Sequence, residues 1–242
     1  MISFLTLQMT VENSSKPLPI NRYVIFRYCN VFYEGRIVDV LHDGNKTLYS
    51  VISFASFEYF RITEHEIITQ TSLESKRKYK PSSTCGNFYE LKMPSVLKNR
   101  LRADKDFCLV NFEHKNTAKV LVKITVKEVL MQFSKYFEKN SLLYDGIEME
   151  EVIEGFKHLF NTFLPLNLLY KEEKEFFKYA GILDESVDYT MKFGPVYLLR
   201  LLYFIQRNNK RYSNVKYTQL VVSDFTVYLM DFLNYRYQDY FY

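Results

Sequence analysis

The sequence predicts an α+β chain in two parts: a small N-terminal β barrel followed by an all-α helical bundle. Two observations carry this. Up to about residue 70 the chain holds short runs of Val, Ile, Tyr and Phe punctuated by turn residues, whereas from Met93 the apolar residues recur at helical spacing. A third observation separates the halves, because the stretch between them is basic and poor in aliphatics. The expected division is therefore a β domain over 1–70, a basic linker over 71–92 and a helical domain over 93–242.

In the first part, Arg22 to Tyr28 and Phe32 to Val40 read as strands, rich in β-branched and aromatic residues. Leu41-His42-Asp43-Gly44 follows, and Asp-Gly supplies the positive φ of a tight hairpin. Thr47 to Phe54 is a further strand, and Glu58 to Ile68 another short strand or turn of helix. Several short strands in so few residues suggest a small curled sheet or barrel.

Thr71 to Asn87 changes character. It contains Lys76, Arg77, Lys78 and Lys80 with Pro81, several Ser and Gly86, which is a linker composition. A solvated tether is the plain reading; weak DNA contact through the four basic side chains is the alternative.

Thr125-Val126-Lys127-Glu128 is a capping box, in which the Thr oxygen and the Glu carboxylate satisfy free amides of a first helical turn. Behind it Val126, Val129, Leu130, Phe133 and Phe137 form one apolar stripe, and Met149, Val152, Ile153, Phe156 and Phe160 form another. Gly194-Pro195 opens a helix carrying Val196, Leu199, Leu202 and Tyr203, with Pro suited to the first position. The last helix carries Phe225, Tyr228, Leu229, Phe232 and Leu233. Wide apolar faces with short connections make a bundle.

Composition narrows the function classes. Of 242 residues 48% are hydrophobic, enough for a core, and a net charge of +4 is no strong footprint for nucleic acid. Cys29, Cys85 and Cys108 are widely spaced with no CxxC pair, which argues for reduced thiols in an intracellular compartment. The N-terminus lacks the features of a secretory signal, and no run approaches the length of a membrane span. His42, His65, His114 and His158 lie far apart without a second ligand at helical spacing. Glu148, Glu150, Glu151 and Glu154 sit at a helix start, where they complement its dipole. No phosphate-cradling glycine loop or nucleophile elbow is present. The expectation is a protein without enzymatic activity, cofactor or metal.

The second half carries ordered blocks: Met93-Pro94-Ser95-Val96-Leu97-Lys98 with Leu101 and Asp104; Val122-Lys123-Ile124-Thr125-Val126; Glu151-Val152-Ile153-Glu154-Gly155-Phe156-Lys157 with Phe160-Asn161. Leu168-Leu169-Tyr170-Lys171-Glu172-Glu173 follows, then Phe193-Gly194-Pro195-Val196-Tyr197-Leu198-Leu199-Arg200-Leu201 and Asp231-Phe232-Leu233. In order and spacing this set resembles the MRG domain, the C-terminal domain of the MRG family of chromatin adaptors. Phe32-Tyr33-Glu34-Gly35-Arg36-Ile37-Val38 is similar to the first hairpin of the chromo-barrel that usually precedes it.

The resemblance implies a nuclear, non-catalytic subunit of a histone acetyltransferase or deacetylase complex. It implies a barrel that reads methylated lysine on a histone tail through an aromatic cage, by cation–π attraction. Tyr33 matches the family's first cage tyrosine. The later cage positions include tryptophans, which this chain lacks, and Phe57, Tyr59 and Phe60 are the surrogates, while Ser53 falls where a tyrosine is usual. The same aromatics equally suit a barrel core. The helical domain is implied to capture partner-subunit peptides with an apolar anchor such as Phe-x-Leu-Pro. Its groove positions fall on Met93, Leu101, Arg102, Lys105, Tyr170, Tyr203 and Phe204. Lys105 replaces a usual tryptophan, Arg102 an aliphatic residue and Phe204 a basic one; the basic rim suits a more acidic partner. Arg200, within an apolar stripe, reads as a buried, paired arginine. Competing readings are a nucleic-acid-binding protein that uses barrel and linker, and a small enzyme built from scattered residues.

Overall fold

The computed structural model describes residues 17–29, 31–43, 46–54, 57–68, 92–113, 122–140, 149–183, 187–208 and 216–242. It has the expected α+β layout. Strands β1 (Tyr23–Tyr28), β2 (Val31–Asp43), β3 (Lys46–Ser53), β4 (Tyr59–Thr63) and the two-residue β5 (Ile67–Ile68) form one antiparallel sheet in the order β4-β3-β2-β1-β5. β2 and β3 pair as antiparallel neighbours up to Asp43 opposite Lys46, while Gly44 of the expected Asp-Gly turn lies outside the described residues. A single 3-10 turn, Glu64–Glu66, carries the chain from β4 back to β5 beside β1, so the sheet curls towards closure. Gly35 permits that curl: a Cβ there would stand 2.3 Å from the carbonyl oxygen of Ile52 and 2.9 Å from Val51 Cγ1.

Seven helices follow among the described residues: α1 (Ser95–Glu113), α2 (Val126–Asn140), α3 (Met149–Phe163), α4 (Lys171–Tyr179), α5 (Pro195–Asn208), α6 (Lys216–Tyr235) and α7 (Tyr237–Phe241). The capping box forms, with Thr125 N–H donating to Glu128 Oε2 at 2.7 Å and Glu128 N–H to Thr125 Oγ1 at 3.2 Å. The stripe behind it is buried along its whole length. Tyr203 departs from its expected stripe and lies 43% exposed. After α3 the chain opens into a π turn, Leu164–Leu168, where Pro165 cannot continue the α-helical ladder.

β1 alternates between two cores. Val24, Phe26, Ile37, Tyr49, Val51 and Ile62 fill the inside of the curled sheet. Tyr23, Ile25 and Phe54 point the other way and join the helical core. The Tyr23 ring stacks on Tyr228 of α6 at 5.1 Å and meets Phe137 of α2 at 5.7 Å. Arg36, on the same face of β2, reaches Asp231 of α6. Sheet and bundle thus share one buried interior. The basic residues Lys76, Arg77, Lys78 and Lys80 lie outside the described residues, as do Cys85, His114 and Glu148.

Candidate functional site

Arg200, buried on α5 with 5% of its surface exposed, organises the bundle's polar centre. Its Nε donates to Asp104 Oδ2 of α1 at 2.8 Å, and its Nη atoms donate to Glu173 of α4 at 2.5 and 3.1 Å. Nη1 also reaches the Leu168 carbonyl at 3.0 Å, an acceptor that the π turn leaves available. The guanidinium carbon lies over the rings of Tyr170 and Tyr197, 4.1 and 4.5 Å from their centroids. This is the buried, paired arginine expected from the sequence.

Glu173 is equally surrounded. Besides Arg200 it accepts from the Tyr197 hydroxyl at 2.8 Å, the Cys108 thiol at 3.3 Å and the Tyr170 backbone N–H at 2.9 Å. The last contact places it at the third position of α4, closing the helix start beneath Tyr170. Two carboxylates therefore face one guanidinium in a dry site. Burial, outweighing the attraction of Arg200, raises the Asp104 carboxyl above its ordinary pKa. Burial, together with Glu173 and Asp104, pushes the Cys108 thiol up to about 12, and burial pushes Tyr170 up to about 12. For Arg200, burial opposes the charge, but the bonds to Glu173 and the field of both acids raise its pKa overall.

Around this centre stand the sequence-derived groove positions. Leu101 is one helical turn before Asp104, half-buried against the core, while Tyr203 and Phe204 are one turn after Arg200. Tyr170 is half-buried, and Phe204 packs on Phe163 at 4.8 Å. Arg102 and Lys105 flank Asp104 on the solvent side. Met93 is buried in the core just before α1. Asp104 and Glu173 both stand in the family-like blocks of the sequence, but nothing in either block distinguishes these buried acids from the solvated charges beside them.

The sheet's aromatic candidates divide. Tyr33 and Phe60 meet at 5.1 Å, and both pack on buried Phe26 at 5.5 Å. Tyr28, not singled out from the sequence, joins them with its ring 5.1 Å from Phe60. Tyr59 neighbours Phe60 along β4 and so points to the opposite side, 70% exposed. Phe57 adopts φ +57° in the β3–β4 turn and packs against the helical core. Centroids near 5 Å are contact distances between rings, so Tyr28, Tyr33 and Phe60 cluster on Phe26 at the inner face of the curled sheet.

Among the described residues no group of three or more His, Cys, Asp or Glu is arranged to hold a metal ion, and no helix is long and apolar enough to cross a membrane. A family model described as MRG matches residues 67–242. A relative, Protein MRG1 of Arabidopsis thaliana, is 28% identical over 142 residues, which is 55% of this chain and 41% of that protein. The match thus spans less than half of the relative's length. Since the family model takes in all seven helices and every member of the Arg200 centre, the chain belongs to the MRG family.

Proposed function

We propose that this chromatin-associated MRG protein is a non-catalytic adaptor whose helical domain captures a short segment of a partner subunit beside Tyr170. One observation carries the reading: at the junction of α1, α4 and α5 a half-buried tyrosine ring packs on a guanidinium that three buried partners, Asp104, Glu173 and the Leu168 carbonyl, immobilise. A rigid aromatic surface loses little conformational freedom on binding, which is what a dominant peptide anchor requires. Leu101 lies one helical turn from Asp104 on α1, and Tyr203 and Phe204 lie one turn from Arg200 on α5; they are the apolar surface this reading assigns to the site. The reading places the protein in the nucleus, within a histone acetyltransferase or deacetylase complex.

The test is titration of the whole chain with a peptide built on a Phe-x-Leu-Pro core. Tyr170→Ala with Leu101→Ala should weaken binding at least about thirtyfold while helicity is kept, since each anchor of this kind is worth about 1–2 kcal/mol. Unchanged affinity in a folded double variant rules the site out. Affinity purification followed by identification of the bound subunits assigns the complex.

For the barrel the proposal is weaker binding. With the Tyr33 and Phe60 rings in contact, a methylated lysine would rest on the open side of Tyr28 and Tyr33, a one-sided cation–π contact of about 0.5–1 kcal/mol. Preference for a trimethylated over an unmodified histone-tail peptide should then be only about two- to fivefold. Equal affinities would remove the barrel as a reader.

A further inference from the structure

On α1, residues 97, 101, 104 and 108 face inwards, and the flank beside them is a single stripe of Lys98, Arg102, Lys105 and Leu109, all exposed. Lys98, Arg102 and Lys105 form no ion pair with a described residue. The acids that would ordinarily temper such a stripe have been withdrawn. Asp104 and Glu173 are turned into the core and held by Arg200, which leaves Asp106 as the one exposed carboxylate among residues 95–109. The adjoining α4 shows Lys171, Lys174 and Lys178 against Glu172 and Glu175, so it adds no compensating negative charge. Half-buried Leu101 beside the stripe and exposed Leu109 at its C-terminal end give the flank apolar footing.

We propose that this α1 flank takes an acidic segment of the partner polypeptide, so that carboxylates next to the apolar anchor decide which partners bind. The proposal deepens the peptide-site reading above and rests on it. Complementary charge at an exposed rim acts mainly on encounter rate and selectivity, and it is screened by salt. The apolar anchor, by contrast, keeps its contribution when salt is added.

The experiment uses the full chain and three synthetic peptides that share the Phe-x-Leu-Pro core and carry flanking Glu, Ser or Lys. At low salt the Glu peptide should bind about tenfold tighter than the Ser peptide, the gap shrinking to about twofold near 0.5 M salt. Arg102→Glu with Lys105→Glu, both exposed, should reverse the order so that the Lys peptide binds best. Equal affinities of the Glu and Ser peptides at low salt overturn the proposal and leave the apolar site standing. Failure of all three to bind overturns both. A short DNA duplex that displaces the Glu peptide and is itself lost in the double variant reassigns the flank to nucleic acid. Dimerisation of the chain that Lys105→Glu abolishes reassigns it to a second copy.

Discussion

The guanidinium of Arg36, on β2, holds both carboxylate oxygens of Asp231, on α6, at 2.7 and 3.0 Å, with both side chains buried. Asn21 Oδ1 accepts a third bond from Arg36 at 3.0 Å, and the Tyr235 ring lies 4.9 Å from the guanidinium carbon. Removing one member leaves the other charged and dry. Asp231→Ala is therefore expected to destabilise the protein by about 3–5 kcal/mol. The double replacement Arg36→Met with Asp231→Leu should recover most of that loss. Urea unfolding of the three proteins checks both figures; a double variant as unstable as the single one would contradict them.

Asp104 and Glu173 share Arg200 but are not equivalent. Glu173→Gln breaks the shorter ion pair and a carboxylate bonded to Tyr197 and Tyr170, and should cost about 3 kcal/mol or more. Asp104→Asn should cost under about 1 kcal/mol at neutral pH, because it relieves the excess of buried negative charge. The pH dependence has a definite sign. A carboxyl whose pKa is raised on folding binds its proton more tightly in the native state, so stability falls as pH rises from near 3.8 through the folded value. The stability of Asp104→Asn relative to wild type should accordingly increase across mildly acidic pH, measured by urea midpoints. A flat difference would mean Asp104 is ordinary.

Gly35→Ala should destabilise by about 3 kcal/mol or more. Its Cβ would meet the Ile52 backbone oxygen at 2.3 Å, which no rotamer change relieves. Thermal unfolding reports the loss, and a shift of only a degree or two would show that β2 and β3 can part locally.

Cys29 is exposed, whereas Cys108 is buried with its thiol pushed up to about 12. Iodoacetamide at pH 8 should label Cys29 within minutes and spare Cys108 until the protein is unfolded, because the thiolate is the reactive form. Peptide mass mapping reads the result; rapid native labelling of Cys108 would mean that the Arg200 centre opens readily.

Local signals in the sequence proved reliable where structure is local. The 3-1-3-4 spacing of Val126, Val129, Leu130, Phe133 and Phe137 predicts a buried helix face, and Thr125 with Glu128 marks where that helix starts. The aromatic candidates needed strand parity: Tyr59 and Phe60 are consecutive, so one strand cannot turn both towards a single site. Tyr28, two residues beyond Phe26 on β1, satisfies that parity. Glu173 sits in Lys-Glu-Glu-Lys-Glu and looks solvated; its role depends on Arg200, 27 residues away, and on the π turn that aims Leu168. The union of sheet and bundle left one trace, the unbroken run Tyr23-Val24-Ile25-Phe26. Four consecutive buried residues mean a strand covered on both sides, where an independent barrel would alternate.

That shared interior has a consequence for how the chain comes apart. A single protease cut anywhere between residues 69 and 91 severs the backbone between strands and helices but touches neither the Tyr23–Tyr228 stack nor the Arg36–Asp231 grip. The two fragments should elute together as one particle and separate only in denaturant. Either piece produced without the other would present a greasy aromatic scar to water and aggregate.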